Sequence, residues 1–408
     1  MKKKTEIAQL ANGIHITHFQ MPLATTYCGL TINTGTRDEL YNEHGLAHFL
    51  EHLLFKGTKK RKVFHINNRL ESVGGELNAF TGKEETAIHA ITLSSDFSKA
   101  LELIADVTFN STFPELELQK EKVVIFDEIN SYKDSPAEAI FDDFEEYIFP
   151  NCSLGRNILG NKKSLKHFDA KHLHSFISRN YSTERMVISS VGKMPFKRVV
   201  ELAERHFSQY PLQEKKQERV PPPVYAPFSK TVDKNTHQAH CVIGNRSYKL
   251  SDERSTALTL LMNILGGPLS NSRLNTSLRE KYGLVYNVEA SYTPYQDTGL
   301  FSIYFGTSKA TLDSSINATM AELKKLKTDK LTVLQLNRAK KQMIGQLTIA
   351  NESPEQLMLA MGKSLLSLNH IDTAEETLAK IHAVTPETLI DIANELFDTA
   401  RLSTLTYI

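Results

Sequence analysis

The 408 residues carry 48 basic against 47 acidic side chains, a net charge of +1, with 40% hydrophobic and 23% charged residues. This is the composition of an ordinary globular chain long enough for two or more cored domains, and its balanced charge gives no global field favouring nucleic acid or an anionic membrane. Cys28, Cys152 and Cys241 are odd in number and far apart, without a Cys-x-x-Cys pair, which argues for a reducing compartment and against a disulfide framework.

The start, Met1-Lys2-Lys3-Lys4, is charged like that of a signal peptide, but residues 5–13 are too polar to form its apolar core. They read as a first strand, with Asn12-Gly13 as the turn into a second from Ile14. No run of 18 apolar residues occurs, so no membrane span is expected and a cytoplasmic location is the default.

The apolar segment around residues 46–54 predicts a helix carrying His48-Phe49-Leu50-Glu51-His52. At 3.6 residues per turn, His48 and His52 stand one turn apart and can close on one ion, with Glu51 beside them. The order His-x-x-Glu-His is the reverse of the commoner zinc-protease motif. His44 lies one turn earlier but precedes Gly45 at the expected helix entry, which suits a capping or surface role. Lys56, Lys59, Lys60 and Lys62 read as a solvated face. Gly74-Gly75-Glu76-Leu77-Asn78-Ala79-Phe80-Thr81 follows, and His89 reads as structural.

Two histidines leave a catalytic zinc short of a third protein ligand. Residues 118–130 have helical period and place Glu121 two turns before Glu128 on the same face. One of the two can bind the metal while the other orients a ligand from behind.

Further on, residues 213–224 are charged and then proline-rich, as a solvated linker between packed units should be. Around it the chain repeats itself. Leu173, Phe176, Tyr181, Thr183 and Arg185 match Leu389, Ile392, Phe397, Thr399 and Arg401 at a constant offset of 216. Each copy reads as a helix capped by Asp169 or Thr385, followed by a closing strand. The expected fold class is α+β: two homologous domains, 1–212 and 225–408, each a mostly antiparallel sheet with helices on one face. The helix expected at 255–265 has neither His nor acid, so only the first domain can hold the metal. The second contains Gly266-Gly267-Pro268-Leu269-Ser270-Asn271-Ser272-Arg273 and Leu278-Arg279, then Gly283-Leu284-Val285-Tyr286.

With these motifs the chain resembles the pitrilysin or insulinase family of zinc peptidases (peptidase family M16), particularly its short two-domain members related to mitochondrial processing peptidase. Glu128 stands 76 positions after His52, the family's spacing for the third ligand, and Glu121 matches its further acidic residue seven positions earlier. The likeness runs from about residue 8 to the C-terminus. It implies one zinc per chain on His48, His52 and Glu128, with Glu51 and Glu121 in catalytic roles. It also implies a substrate-binding edge strand at Asn78 and Ala79, substrate contacts from Arg279 and Tyr286, and domains that form half of a clamshell.

The expected activity is a zinc endopeptidase cleaving oligopeptides or unfolded segments in a closed chamber. Zinc would lower the pKa of a bound water and polarise the scissile carbonyl, and Glu51 would act as general base. An extended peptide added to the edge strand is held through its backbone, which implies tolerance of varied sequences. Longer family members carry four such domains, so two of these chains are expected to pair, as a homodimer or as a heterodimer with a metal-free homologue. The alternatives are a dedicated precursor-processing peptidase and a non-catalytic structural or partner subunit of the same fold. The intact set His48, Glu51, His52 and Glu128 argues against the last.

Overall fold

The computed structural model describes residues 5–214 and 218–408; the charged start Met1 to Lys4, and Lys215, Lys216 and Gln217 of the expected linker, lie outside the described residues. The chain forms two compact units, each built on one sheet. The expected α+β class holds.

The first sheet has six strands: β1 (Thr5–Gln9), β2 (His15–Gln20), β3 (Thr25–Ile32), β4 (Glu76–Thr81), β5 (Thr86–Leu93) and β6 (Met186–Gly192), in the spatial order β1-β2-β6-β3-β5-β4. Only the β2–β6 pair is parallel. Asn12-Gly13 makes the expected turn between β1 and β2, with Gly13 at φ +91°, where a side chain would be strained. Among the described residues β4 is an edge strand, paired only to β5, with Asn78 opposite His89 and Thr81 opposite Thr86. Its alternating exposed and half-buried residues are the period-2 pattern of a strand with one face on the core.

Cys28, Leu30 and Ile32 of β3 face a core closed by α1 (Leu46–Leu54), α2 (Val63–Glu71), α3 (Phe97–Phe109) and α4 (Glu115–Lys133). On the opposite face, the helix Pro354–Leu368 sets Met358 and Met361 against Val191, Phe19 and Tyr27. This helix comes very near: a Cβ on Gly362 would stand 2.6 Å from Thr31 Oγ1. His89 is buried there, its Nδ1 3.3 Å from Glu355 Oε1, as suits a structural residue.

The second sheet has five strands, β7 (Ser229–Val232), β8 (Ala239–Ser247), β9 (Val285–Pro294), β10 (Gly299–Thr307) and β11 (Ser403–Tyr407), in the order β7-β11-β8-β10-β9. This repeats the order β2-β6-β3-β5-β4, as duplication requires. Asp169 accepts from the N–H groups of Lys171 and His172 at the head of helix Ala170–Asn180, and Thr385 from that of Thr388 at the head of Pro386–Leu396. Each helix leads into its closing strand, β6 or β11.

The division made by packing differs from the expected 1–212 and 225–408. One unit comprises the described residues of Met1–Asn130, Arg156–Val220 and Ile349–Thr373; the other comprises Ser131–Gly155, Pro221–Thr348 and Ala374–Ile408. The two sequence halves thus exchange a helix: α5 (Pro136–Ile148) packs on β8 and β11, and Pro354–Leu368 on β3 and β6. Apolar patterning shows that a helix has a buried face but not which sheet receives it. Nor is the linker solvated throughout. The Arg219 side chain is 7% exposed, donating from Nη2 to Asp38 Oδ2 (2.7 Å) and to the Glu84 carbonyl (2.7 Å). Arg37 in turn donates to Glu84 Oε1 (2.6 Å) and to the Val220 carbonyl (3.2 Å).

Candidate metal centre

α1 carries the histidines. Leu46, Phe49, Leu50, Leu53 and Leu54 are buried along one face, and each contributes roughly 2 kcal/mol by leaving water. The helix begins at Gly45, which has φ +91° and abuts Gly160 so closely that a Cβ would stand 2.7 Å from the Gly160 Cα. Gly45 has no side chain to cap the helix, and Glu39 does so from six residues upstream. Its two carboxyl oxygens accept from the N–H groups of Gly45 (3.0 Å) and Ala47 (2.9 Å). Burial pushes Glu39 up to about 8 against the opposing pull of those two N–H groups. His44 bonds through Nε2 to the Asn157 carbonyl (3.0 Å) and lies near Asn161 through Nδ1. It tethers the 157–161 loop.

His48, His52 and Glu128 converge, each offering one ligand atom within 4.8 Å of the others. The Nε2 of His48 is 3.8 Å from Glu128 Oε1, and the Nε2 of His52 is 3.7 Å from Oε2. Both spacings exceed a hydrogen bond. They approach the about 3.4 Å that separates two tetrahedral ligands of a shared zinc at about 2.1 Å. Burial, and then the neighbouring His52, lower His48 to about 3, so it offers a neutral imidazole. Its Nδ1 is buried without a hydrogen-bond partner among the described residues, which leaves Nε2 as its working atom. These residues fit a zinc ion.

Glu121, on α4, is not among the convergent three. Its Oε2 faces His52 Nδ1 at 3.2 Å, and its Oε1 meets Lys56 Nζ at 2.7 Å. Lys56 therefore leaves the solvated face expected of it, while Lys59, Lys60 and Lys62 are exposed. Glu51 is largely buried, which raises its pKa, and neighbouring Thr81 opposes the rise. The buried Thr81 hydroxyl has no hydrogen-bond partner among the described residues. Burial, and then the charge of nearby Glu51, raise the Tyr181 phenol. A carboxylate raised towards neutrality suits a general base.

An open cleft of about 530 Å³ is lined by Glu51, His52, Lys56 and Glu121 together with Asn78 and Ala79 of β4. The expected substrate strand thus borders the histidine helix. Arg279 and Tyr286 belong to the other unit. Arg279 is exposed in the π-helical stretch Asn275–Lys281, 4.0 Å from Glu280, and Tyr286 is 63% exposed on the edge strand β9. Sequence reasoning gave Glu39, Thr81 and Tyr181 no role at the metal centre, and set Lys56 aside. Only the i, i+4 spacing of His52 and Lys56 hinted at any of them.

Two imidazoles from one helix, a carboxylate from a second and a free carboxylate beside them are the parts of a metal-dependent hydrolase, here on a duplicated α+β chain. The chain belongs to the insulinase family, peptidase family M16. The family model described as "Insulinase (Peptidase family M16)" matches residues 17–162, which include the whole metal centre, and that described as "Peptidase M16 inactive domain" matches 167–343. An uncharacterized zinc protease of Bacillus subtilis, YmxG, is 34% identical over 387 residues, covering 95% of this chain and 94% of that one. One from Rickettsia bellii is 32% identical over 406 residues, covering 99% and 97%. The crystal structure of a protease from Helicobacter pylori superposes with a TM-score of 0.92 at 22% identity over all of both chains, a likeness of fold. No described helix is long and apolar enough to cross a membrane.

Proposed function

We propose that this chain is a zinc endopeptidase that hydrolyses extended oligopeptides or unfolded segments. The observation that carries the reading is the convergence of His48, His52 and Glu128 beside Glu51, in a cleft bordered by an unpaired strand edge. A zinc ion held there supplies Lewis acidity, polarising the scissile carbonyl and acidifying water. Glu51, beside Thr81, takes the proton of the attacking water and passes it to the leaving amine. Glu121 accepts from His52 Nδ1–H and so keeps Nε2 free as a ligand. The substrate backbone pairs with the free edge of β4 at Asn78 and Ala79, which demands little of its side chains. Arg279 and Tyr286 add contacts from the second domain, and pairing as a homodimer encloses the peptide in a chamber that folded proteins do not enter.

The test is zinc content and cleavage of a quenched unstructured peptide, measured for wild type and Glu51→Gln together. Metal in both, with turnover reduced about 10²–10⁴-fold in the variant, is the expected result. Wild-type protein that takes up no zinc would overturn the reading and leave a structural role.

A further inference from the structure

Lys56 follows the end of α1 by two residues and His52 by four, which carries its side chain back over the last helical turn. Its Nζ lies 2.7 Å from Glu121 Oε1, and Glu121 Oε2 lies 3.2 Å from His52 Nδ1. The pair is sheltered, with side-chain exposures of 27% and 8%, unlike the surface pair of Lys120 and Glu117, whose lysine is 57% exposed. Solvent therefore screens it far less than an ordinary surface ion pair. Among the residues lining the cleft, Lys56 is the only lysine or arginine beside four glutamates.

We infer that Lys56 is a positioning residue for the metal: it pins the Glu121 carboxylate so that this group holds His52 with Nδ1 protonated and Nε2 directed to the ion. The inference rests on the zinc reading of His48, His52 and Glu128. A buried carboxylate bonded to one imidazole alone keeps a free oxygen and can rotate, and the imidazole it orients turns with it. Lys56 occupies that second oxygen. The alternative is that Lys56 acts only as a cation near a cation. The two roles predict opposite signs. Removing a like charge tightens zinc binding, whereas removing a positioning residue weakens it.

The experiment is chelator competition for zinc by wild type, Lys56→Met, Lys56→Arg, Glu121→Gln and the Lys56→Met/Glu121→Gln double variant, with melting of each metal-free protein as a control on folding. Partners that orient a ligand contribute about 10–100-fold to affinity. The expected result is about a 10-fold loss for Lys56→Met in metal-free protein that still melts cooperatively, and recovery of most of it in Lys56→Arg. The double variant should bind no worse than Glu121→Gln, because Lys56 has nothing left to hold. Tighter or unchanged binding by Lys56→Met overturns the inference, as does the same fold-loss in the Glu121→Gln background. Wild-type protein that binds no zinc removes the underlying reading as well.

Discussion

Replacing Glu39 by alanine should loosen the helix that carries both histidines while touching neither. The Glu39 carboxyl group is 5% exposed and accepts from two backbone N–H groups in the first turn of α1, at 3.0 and 2.9 Å. Alanine leaves both donors without a partner, and Gly45 cannot cap them itself. A buried unpaired N–H costs about 1–3 kcal/mol and a lost cap about 1 kcal/mol. The expected loss is therefore about 2–4 kcal/mol, concentrated in the first turn, where Ala47 directly precedes His48. The chain has no tryptophan, so far-UV circular dichroism in urea gives the global change. Hydrogen exchange of peptides spanning residues 40–55 gives the local one. Opening of the first turn should accelerate by about 30-fold or more, while exchange in β8 stays as in wild type. Unchanged exchange at residues 45–48 in Glu39→Ala would refute the capping argument whatever happened to global stability.

The raised pKa of Glu39 sets the sign of a pH effect. Its folded value of about 8 lies above the ordinary 4.5, so the folded chain holds a proton that the unfolded chain releases, and stability falls as pH rises through that window. Wild type should lose more stability between pH 5 and 8 than Glu39→Gln, and parallel stability curves would count against the assignment. Glu128→Ala should lose more zinc affinity in chelator competition than the about 10–100-fold that outer partners contribute, since it removes one of three converging groups; stoichiometric zinc at near-wild-type affinity would exclude Glu128 as a ligand. Residues 1–212 expressed alone lack the helix that sets Met358 and Met361 on Val191, each worth roughly 2 kcal/mol by burial. They should bind a hydrophobic dye and aggregate until residues 225–408 are co-expressed. A soluble fragment that melts like the whole chain would refute the exchange of helices.

Much of the centre was legible in the sequence because it depends on local geometry. His48, Glu51 and His52 share a face by helical periodicity alone, and Glu121 and Glu128 share theirs for the same reason. The link between the two helices came from a family spacing, since no local rule brings residues 52 and 128 together. Duplication was legible as well, because capped helices and closing strands leave signatures within a few residues. Asp169 and Thr385 cap as their positions required.

What lay beyond the sequence was settled by contacts between distant segments. Glu39 reaches the helix entrance only because the 39–45 loop folds back on itself, and Lys56 finds Glu121 only because tertiary packing brings that residue of α4 beside the end of α1. Arg219 reads as a linker charge until Asp38, Arg37 and Glu84 surround it. The exchange of Pro136–Ile148 and Pro354–Leu368 is the largest such decision. An amphipathic helix specifies that an apolar face must be covered, but two similar sheets offer equivalent faces, and only the tertiary structure selects which one it covers.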